Sequence, residues 1–109
     1  MPTTAQPPLS LATVSAAVSA ACAGRPVQRV QVFGSVARGE GSRARDVDLL
    51  VDFLPEARVS LLELGALKEE LEEKLGRRVD LLSRRAVERS ANPHRRRAIL
   101  AAPVTVYAR

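Results

Sequence analysis

Phe33-Gly34-Ser35-Val36-Ala37-Arg38-Gly39 is followed, after six further residues, by Asp46-Val47-Asp48-Leu49-Leu50-Val51-Asp52-Phe53, and these two strings fix the central strands. Val47 to Phe53 is an apolar run with β-branched residues, closed by Pro55, and reads as a strand. Successive side chains on a strand point to opposite faces, so residues two apart share a face about 6–7 Å from one another. Asp46 and Asp48 therefore project together, and Val47 and Leu49 project the other way. Val27 to Phe33 reads as a preceding strand, with Val30 and Val32 on one face and Arg29 and Gln31 on the other. Gly34 breaks it, a short helical turn is expected over Val36 to Glu40, and Gly41 to Arg45 reads as a polar loop.

Upstream, Met1 to Pro8 is rich in Pro and Thr, and residues 1–9 are expected to be a flexible N-terminus. Ser10 can cap a helix running to about Ala23, with Leu11, Val14, Val18 and Ala21 on one face. That segment imitates a secretory leader, but no Lys or Arg precedes Arg25, which argues against one. Downstream, Ser60 with Glu63 three residues on forms a capping box. It opens a long helix whose apolar stripe is expected to be Leu61, Leu64, Leu67, Leu71 and Leu75. Glu69, Glu70, Glu72, Glu73 and Lys74 form its expected wet face, and Gly76 ends it. Arg77 to Ser83 reads as a third strand, followed by a turn near Ala86, a helix from Pro93 to about Ala101, and a short strand at Val104 to Tyr107. The fold class is thus α/β (α+β): a small mixed β-sheet flanked by helices, in a single domain over residues 10–109.

The 109 residues leave room for one core, and only Phe33, Phe53 and Tyr107 are aromatic, so Leu, Val and Ala must build it. No apolar run approaches the roughly 18 residues of a membrane span, which leads to the expectation of no membrane partner. The single Cys22 has no internal disulfide partner and is expected to be a small buried hydrophobe in a cytoplasmic protein. Charge is uneven: residues 1–76 carry eight Lys/Arg against ten Asp/Glu, whereas residues 77–109 carry nine Arg against Asp80 and Glu88. Such a basic end suits an anionic partner or is a solvated face. Without Trp or an aromatic cluster it lacks base-stacking platforms, so nucleic acid is not expected to be the primary partner. His94, with no second His or Cys at ligand spacing, reads as a helix-start surface residue.

Two carboxylates on one face repel one another and become tolerable with a cation between them, and Mg²⁺ favours oxygen ligands together with phosphate. Asp80, between Val79 and Leu81-Leu82, is expected to be covered, and a buried lone carboxylate is costly unless paired or metal-bound. If its strand lies beside Val47–Phe53, the three acids can converge on one or two ions. Two ions about 3.5–4 Å apart would clamp both oxygens of an in-line phosphoryl displacement. Gly34 lets the backbone approach a triphosphate, Ser35 offers a hydroxyl and an N–H, and Arg38 can reach the same phosphates. Taken singly, each feature has a plainer reading. Gly34-Ser35 is punctuation, Asp-x-Asp is common at strand starts, Asp80 can pair with Arg77 or Arg78, and Arg38 can be a surface residue.

Their joint order is specific. Gly34-Ser35, ten residues, then Asp46-Val47-Asp48 resembles the signature of the DNA polymerase β-like nucleotidyltransferases. The fuller strings Phe33–Gly39 and Asp46–Phe53 resemble its minimal branch, the MNT proteins encoded beside HEPN-domain toxins. Gly76-Arg-Arg-Val-Asp-Leu-Leu82 is similar to that family's third-carboxylate strand, and Arg97 to Tyr107 to its usual close, so the likeness covers residues 27–107. Arg45 departs from it, standing where the family usually has a small residue, often Ser.

The resemblance implies a polymerase β-like fold and an ATP-using enzyme. Asp46, Asp48 and Asp80 would be its catalytic metal ligands for two Mg²⁺, with Mn²⁺ as an alternative ion. Gly34, Ser35 and Arg38 would be its nucleotide-binding residues. It also implies transfer of AMP to a tyrosine hydroxyl of a HEPN toxin encoded by an adjacent gene, and so an antitoxin. The rivals are an antitoxin acting by occlusion alone, a small nucleic-acid-binding protein, and a transferase for a small molecule or RNA. The Arg-rich segment Arg84–Arg97 is the candidate contact region for the partner.

Overall fold

The computed structural model describes residues 9–39 and 46–109, so the Pro- and Thr-rich stretch up to Pro8, expected to be flexible, and the expected loop at 41–45, with Arg45, lie outside the described residues. The chain runs α1 (Leu11–Cys22), β1 (Val27–Phe33), α2 (Gly34–Ala37), β2 (Asp46–Phe53), α3 (Leu61–Leu75), β3 (Arg78–Ser83), α4 (Arg84–Glu88), α5 (Pro93–Leu100) and β4 (Val104–Ala108). The strands form one sheet in the order β3-β2-β1-β4. β1 is antiparallel to both its neighbours, and β2 is parallel to β3, so the sheet is mixed as expected. A parallel neighbour needs a crossover connection, and α3 supplies it.

Local signals set the helix ends. Ser10 Oγ accepts from the Thr13 N–H at 3.0 Å and Ser60 Oγ from the Glu63 N–H at 3.1 Å. Gly76 closes α3 in the left-handed region at φ 64°, its N–H donating to the Glu72 carbonyl at 2.8 Å. Asn92 caps α5 through its Oδ1, with Pro93 in the first turn.

α1 and α3 cover one face of the sheet. Val14 and Val18 of α1 and Leu67 and Leu71 of α3 meet Val30, Val32, Val47, Leu49, Val51 and Val79 in the main core. Each fully buried Leu or Val there contributes about 1.5–3 kcal/mol. Leu9 packs at its rim, Cys22 is buried as expected, and Tyr107 packs against the same core. The other face carries a smaller cluster of Leu50, Val87 and Ile99, with Phe33, Leu82 and Leu100 against it. α4 and α5 roof only part of that face.

Four expectations are corrected. Leu61 does not join the α3 stripe: it is 87% exposed and Leu62 is 86% exposed, because the contact of α3 with the core begins only at Leu64 and Leu67. The short turn begins at Gly34 rather than Val36, because Gly34 at φ 74° turns the chain straight from strand into helix. Gln31, assigned to the polar face of β1, is buried, because β1 is an interior strand. Its Nε2 donates to Thr105 Oγ1 at 3.1 Å, and its Oε1 has no hydrogen-bond partner among the described residues. Glu72 is not simply wet: its Oε2 accepts the Val79 N–H at 2.9 Å and meets Lys68 Nζ at 3.3 Å. α3 is thereby tied to β3 one residue before Asp80.

The Val79 N–H, with help from Lys68, holds the Glu72 carboxyl below its usual range. A depressed folded pKa gives stability that is present above the ordinary value of 4.5 and lost as pH falls through the folded value. Glu72→Ala should therefore lower the melting temperature at neutral pH, and the gap to the parent should close in acid. A gap that widened in acid would refute the assignment. Leu71→Ala, at the centre of the α3 contact, should cost about 2–5 kcal/mol of unfolding free energy in urea titrations.

Candidate active site

The strand register places the acidic residues. Asp48 of β2 lies opposite Asp80 of β3 in the parallel pair and opposite Phe33 of β1 in the antiparallel pair. Asp46 lies opposite Arg78. Strand alternation puts Asp46, Asp48 and Asp80 on the face away from α1 and α3, beside the end of β1 where the chain turns into α2. All three acids thus gather at one end of one face.

Burial differs from expectation at Asp80. It is exposed, as is Asp46, and Asp48 is half-buried. β3 is an edge strand, and the roof over Leu82 stops short of the Asp80 end. What singles Asp80 out is therefore its pairing with Asp48 and not a buried charge. Partial burial raises the Asp48 carboxyl above its ordinary pKa, the negative charges of Asp80 and Asp46 add to the rise, and the Arg38 guanidinium opposes it. The three acids and Arg38 thus share one electrostatic field.

Gly34 is packed against this field. A Cβ at position 34 would overlap the carboxylate of Asp48, and the positive φ disfavours a side chain there independently. α2 then runs from Gly34 to Ala37, its turn closed by the Arg38 N–H on the carbonyls of Gly34 and Ser35 at 3.2 Å each. The structure brings Gly34, Ser35 and Arg38 to the β1 side of the acids through this single turn.

Sequence reasoning passed over Asp52. It shares the face of Asp48 four residues along β2, and it is gripped by Arg29 Nε at 3.0 Å and Arg84 Nε at 2.9 Å. The triad links β1, β2 and the start of α4. The antiparallel register sets Arg29 opposite Asp52, a pairing across the sheet that no local sequence signal announces. The fourth acid near this motif is thus already neutralised.

Carboxylate oxygens are suitable donors for Mg²⁺. Among the described residues no three acidic, histidine or cysteine side chains close into a metal cage. Mg²⁺ usually keeps several waters and takes substrate phosphates as further ligands, so an open row of carboxylates fits it better than a closed cage would. No helix among the described residues is long and apolar enough to cross a membrane.

Comparison with known proteins gives a consistent picture. The model of the nucleotidyltransferase domain family matches residues 15–103. A relative from Thermococcus cleftensis named protein adenylyltransferase MntA is 47% identical over 62 residues, covering 57% of this chain and 61% of that protein. A Methanocaldococcus jannaschii protein given the name protein adenylyltransferase provisionally is 51% identical over 57 residues, covering 52% of this chain and 59% of its own. The chain thus spans about three-fifths of the length of these two curated relatives. A solved structure described provisionally as a minimal nucleotidyltransferase is similar at 39% identity and TM-score 0.65, covering 88% of this chain and 95% of that one. A tri-AMPylated Shewanella oneidensis HEPN toxin in complex with MNT antitoxin is similar in fold, at 16% identity and TM-score 0.62, covering 91% of this chain and 73% of that one.

The raised Asp48 pKa carries a stability consequence of opposite sign to that of Glu72. The folded state binds a proton more readily than the unfolded chain, so stability falls as pH rises from 3.8 through the folded value. Asp48→Asn should raise the melting temperature at neutral pH, and the gain should shrink as pH falls into the carboxylate range. A variant less stable than the parent at neutral pH would contradict the repulsion described above.

Proposed function

This chain belongs to the nucleotidyltransferase domain family, and on that premise we propose that it transfers AMP from ATP to a tyrosine hydroxyl of a HEPN-domain toxin encoded beside it, acting as that toxin's antitoxin. The observation that carries the reading is the register of β2 and β3. It sets Asp48 against Asp80 at the same sheet end where Gly34 abuts the Asp48 carboxylate. A phosphoryl-transfer site needs acidic ligands and a phosphate seat in contact, and here one turn of chain supplies the contact. The names of the relatives support adenylyl transfer, and the HEPN toxin–MNT antitoxin neighbour supports the partner class.

Asp46, Asp48 and Asp80 would hold Mg²⁺. When bound, the metal neutralises the triphosphate and the charge that develops during transfer. Gly34 leaves its backbone open to the phosphates, Ser35 donates from its hydroxyl and N–H, and Arg38 adds its guanidinium fork. The acceptor hydroxyl oxygen bonds to the α-phosphorus, and the bond to the bridging oxygen breaks. Pyrophosphate leaves with that electron pair. Asp80 takes the proton from the hydroxyl at its carboxylate. Residues 10–109 act as one domain in this reading. A cytoplasmic setting fits both ATP as donor and the buried, unpaired Cys22 thiol.

The deciding assay is label transfer from α-labelled ATP with Mg²⁺ to the purified neighbouring HEPN protein. The expected result is label on that protein, absent with Asp48→Asn although the variant stays folded. Retained transfer in Asp48→Asn would sink the metal assignment. Tight binding of the neighbour without any label would replace catalysis by occlusion.

A further inference from the structure

A concavity lies further along the sheet face that carries the acids. It has a volume of about 230 Å³ and is bounded by Leu82 of β3, Val87 of α4, and Ile99, Arg95 and Arg96 of α5. Leu82 is two residues past Asp80 on the same strand face, about 6–7 Å along. The apolar floor therefore begins where the acids end. We propose that this cleft seats the tyrosine ring of the acceptor protein, with Arg95 and Arg96 receiving an acidic flank of the same segment. The inference rests on the transfer reading above and adds where the acceptor binds.

Three observations select this occupant. The first is placement. The candidate phosphate seat, Gly34 to Arg38, follows β1, whereas the cleft is built on β3 beyond Asp80, and β2 with Asp48 lies between those two strands. In-line displacement needs the attacking and leaving oxygens on opposite sides of the phosphorus. With the pyrophosphate on the β1 side, the acceptor must approach from the β3 side. The second is size. The volume falls below the roughly 300–1,000 Å³ typical of small-molecule pockets, which suits one planar side chain better than a whole nucleotide. The third is chemistry. Leu82, partly exposed, offers apolar surface for a ring above the buried Val87 and Ile99, and a tyrosine ring needs its polar tip left free, here toward Asp80. Arg96 is steadied at the rim by donating from Nη1 to the Ser90 carbonyl at 3.0 Å, and Arg95 beside it is exposed. Two guanidinium groups at the mouth favour an acceptor segment with acidic residues near its tyrosine.

The test uses the full chain and the purified HEPN neighbour, with initial rates of label transfer measured while each substrate is varied in turn. Arg95→Glu keeps an exposed position exposed, so folding should survive, and Leu82→Ala removes part of the floor. Each should raise the KM for the acceptor about tenfold, the scale of one interface anchor, with the KM for ATP within about twofold of the parent. If the KM for ATP rises instead, the cleft holds the nucleotide and the inference is overturned. If Arg95→Glu changes neither constant, it is likewise overturned. If the unaltered chain transfers no label at all, the transfer reading itself has failed. That outcome is distinguishable because it appears before any cleft variant is made.

Discussion

The parallel pairing of β2 with β3 is the constraint on which the site depends. It brings Asp48 level with Asp80, two like charges on adjacent strands, with Asp46 two residues away on the same face. No antiparallel hairpin could do this from these sequence positions. A parallel partner requires the chain to travel back along the sheet, and α3 makes that journey with its apolar side on the core. The return is secured at its end. Gly76 reverses the chain, and the Glu72 carboxylate takes the Val79 N–H just before Asp80. A helix that looks like a generic amphipathic connector thus sets the position of an acid that strand alternation places on the opposite face of the sheet.

The two faces of the sheet divide the work. The face under α1 and α3 is apolar and holds nearly all the fully buried side chains. The opposite face is roofed in its middle, open with acids at one end, and closed by the Asp52–Arg29–Arg84 ion pairs at the other. Partial burial of the Asp48 carboxylate, with repulsion from Asp80 and Asp46 added to it, is a cost the fold carries at neutral pH and raises the Asp48 pKa. A buried ion-paired acid would have been quieter electrostatically and unable to greet a cation. Gly34 serves both purposes, since its missing side chain accommodates the Asp48 carboxylate and its positive φ starts α2.

The Arg-rich end, read as a sequence, offers a choice between ligand surface and solvated face. The structure splits it. Arg84 is committed to Asp52, so part of the positive charge is architectural, whereas Arg96 is only steadied by the neutral Ser90 carbonyl. Arg95 lies in the open beside an apolar cleft. Basic composition therefore counts for less than where each guanidinium already has an acceptor.

Much of the molecule is legible in the chain itself. Ser10, Ser60 and Gly76 announce helix ends because capping is local and needs only neighbours in sequence. The alternation in Asp46–Phe53 sorts core from site because the pleat has a period of two. Gly34-Ser35 and Asp46-Val47-Asp48 mark the candidate site through their spacing. The chain alone could not say that Asp80 would be exposed, that Leu61 and Leu62 would miss the core, that Gln31 would be buried, or that Asp52 would be taken by two arginines. Each of those outcomes depends on which strands lie at the sheet edge and which helix roofs which end. Only the tertiary structure decides them, because burial and pairing across the sheet are set by residues far apart in sequence.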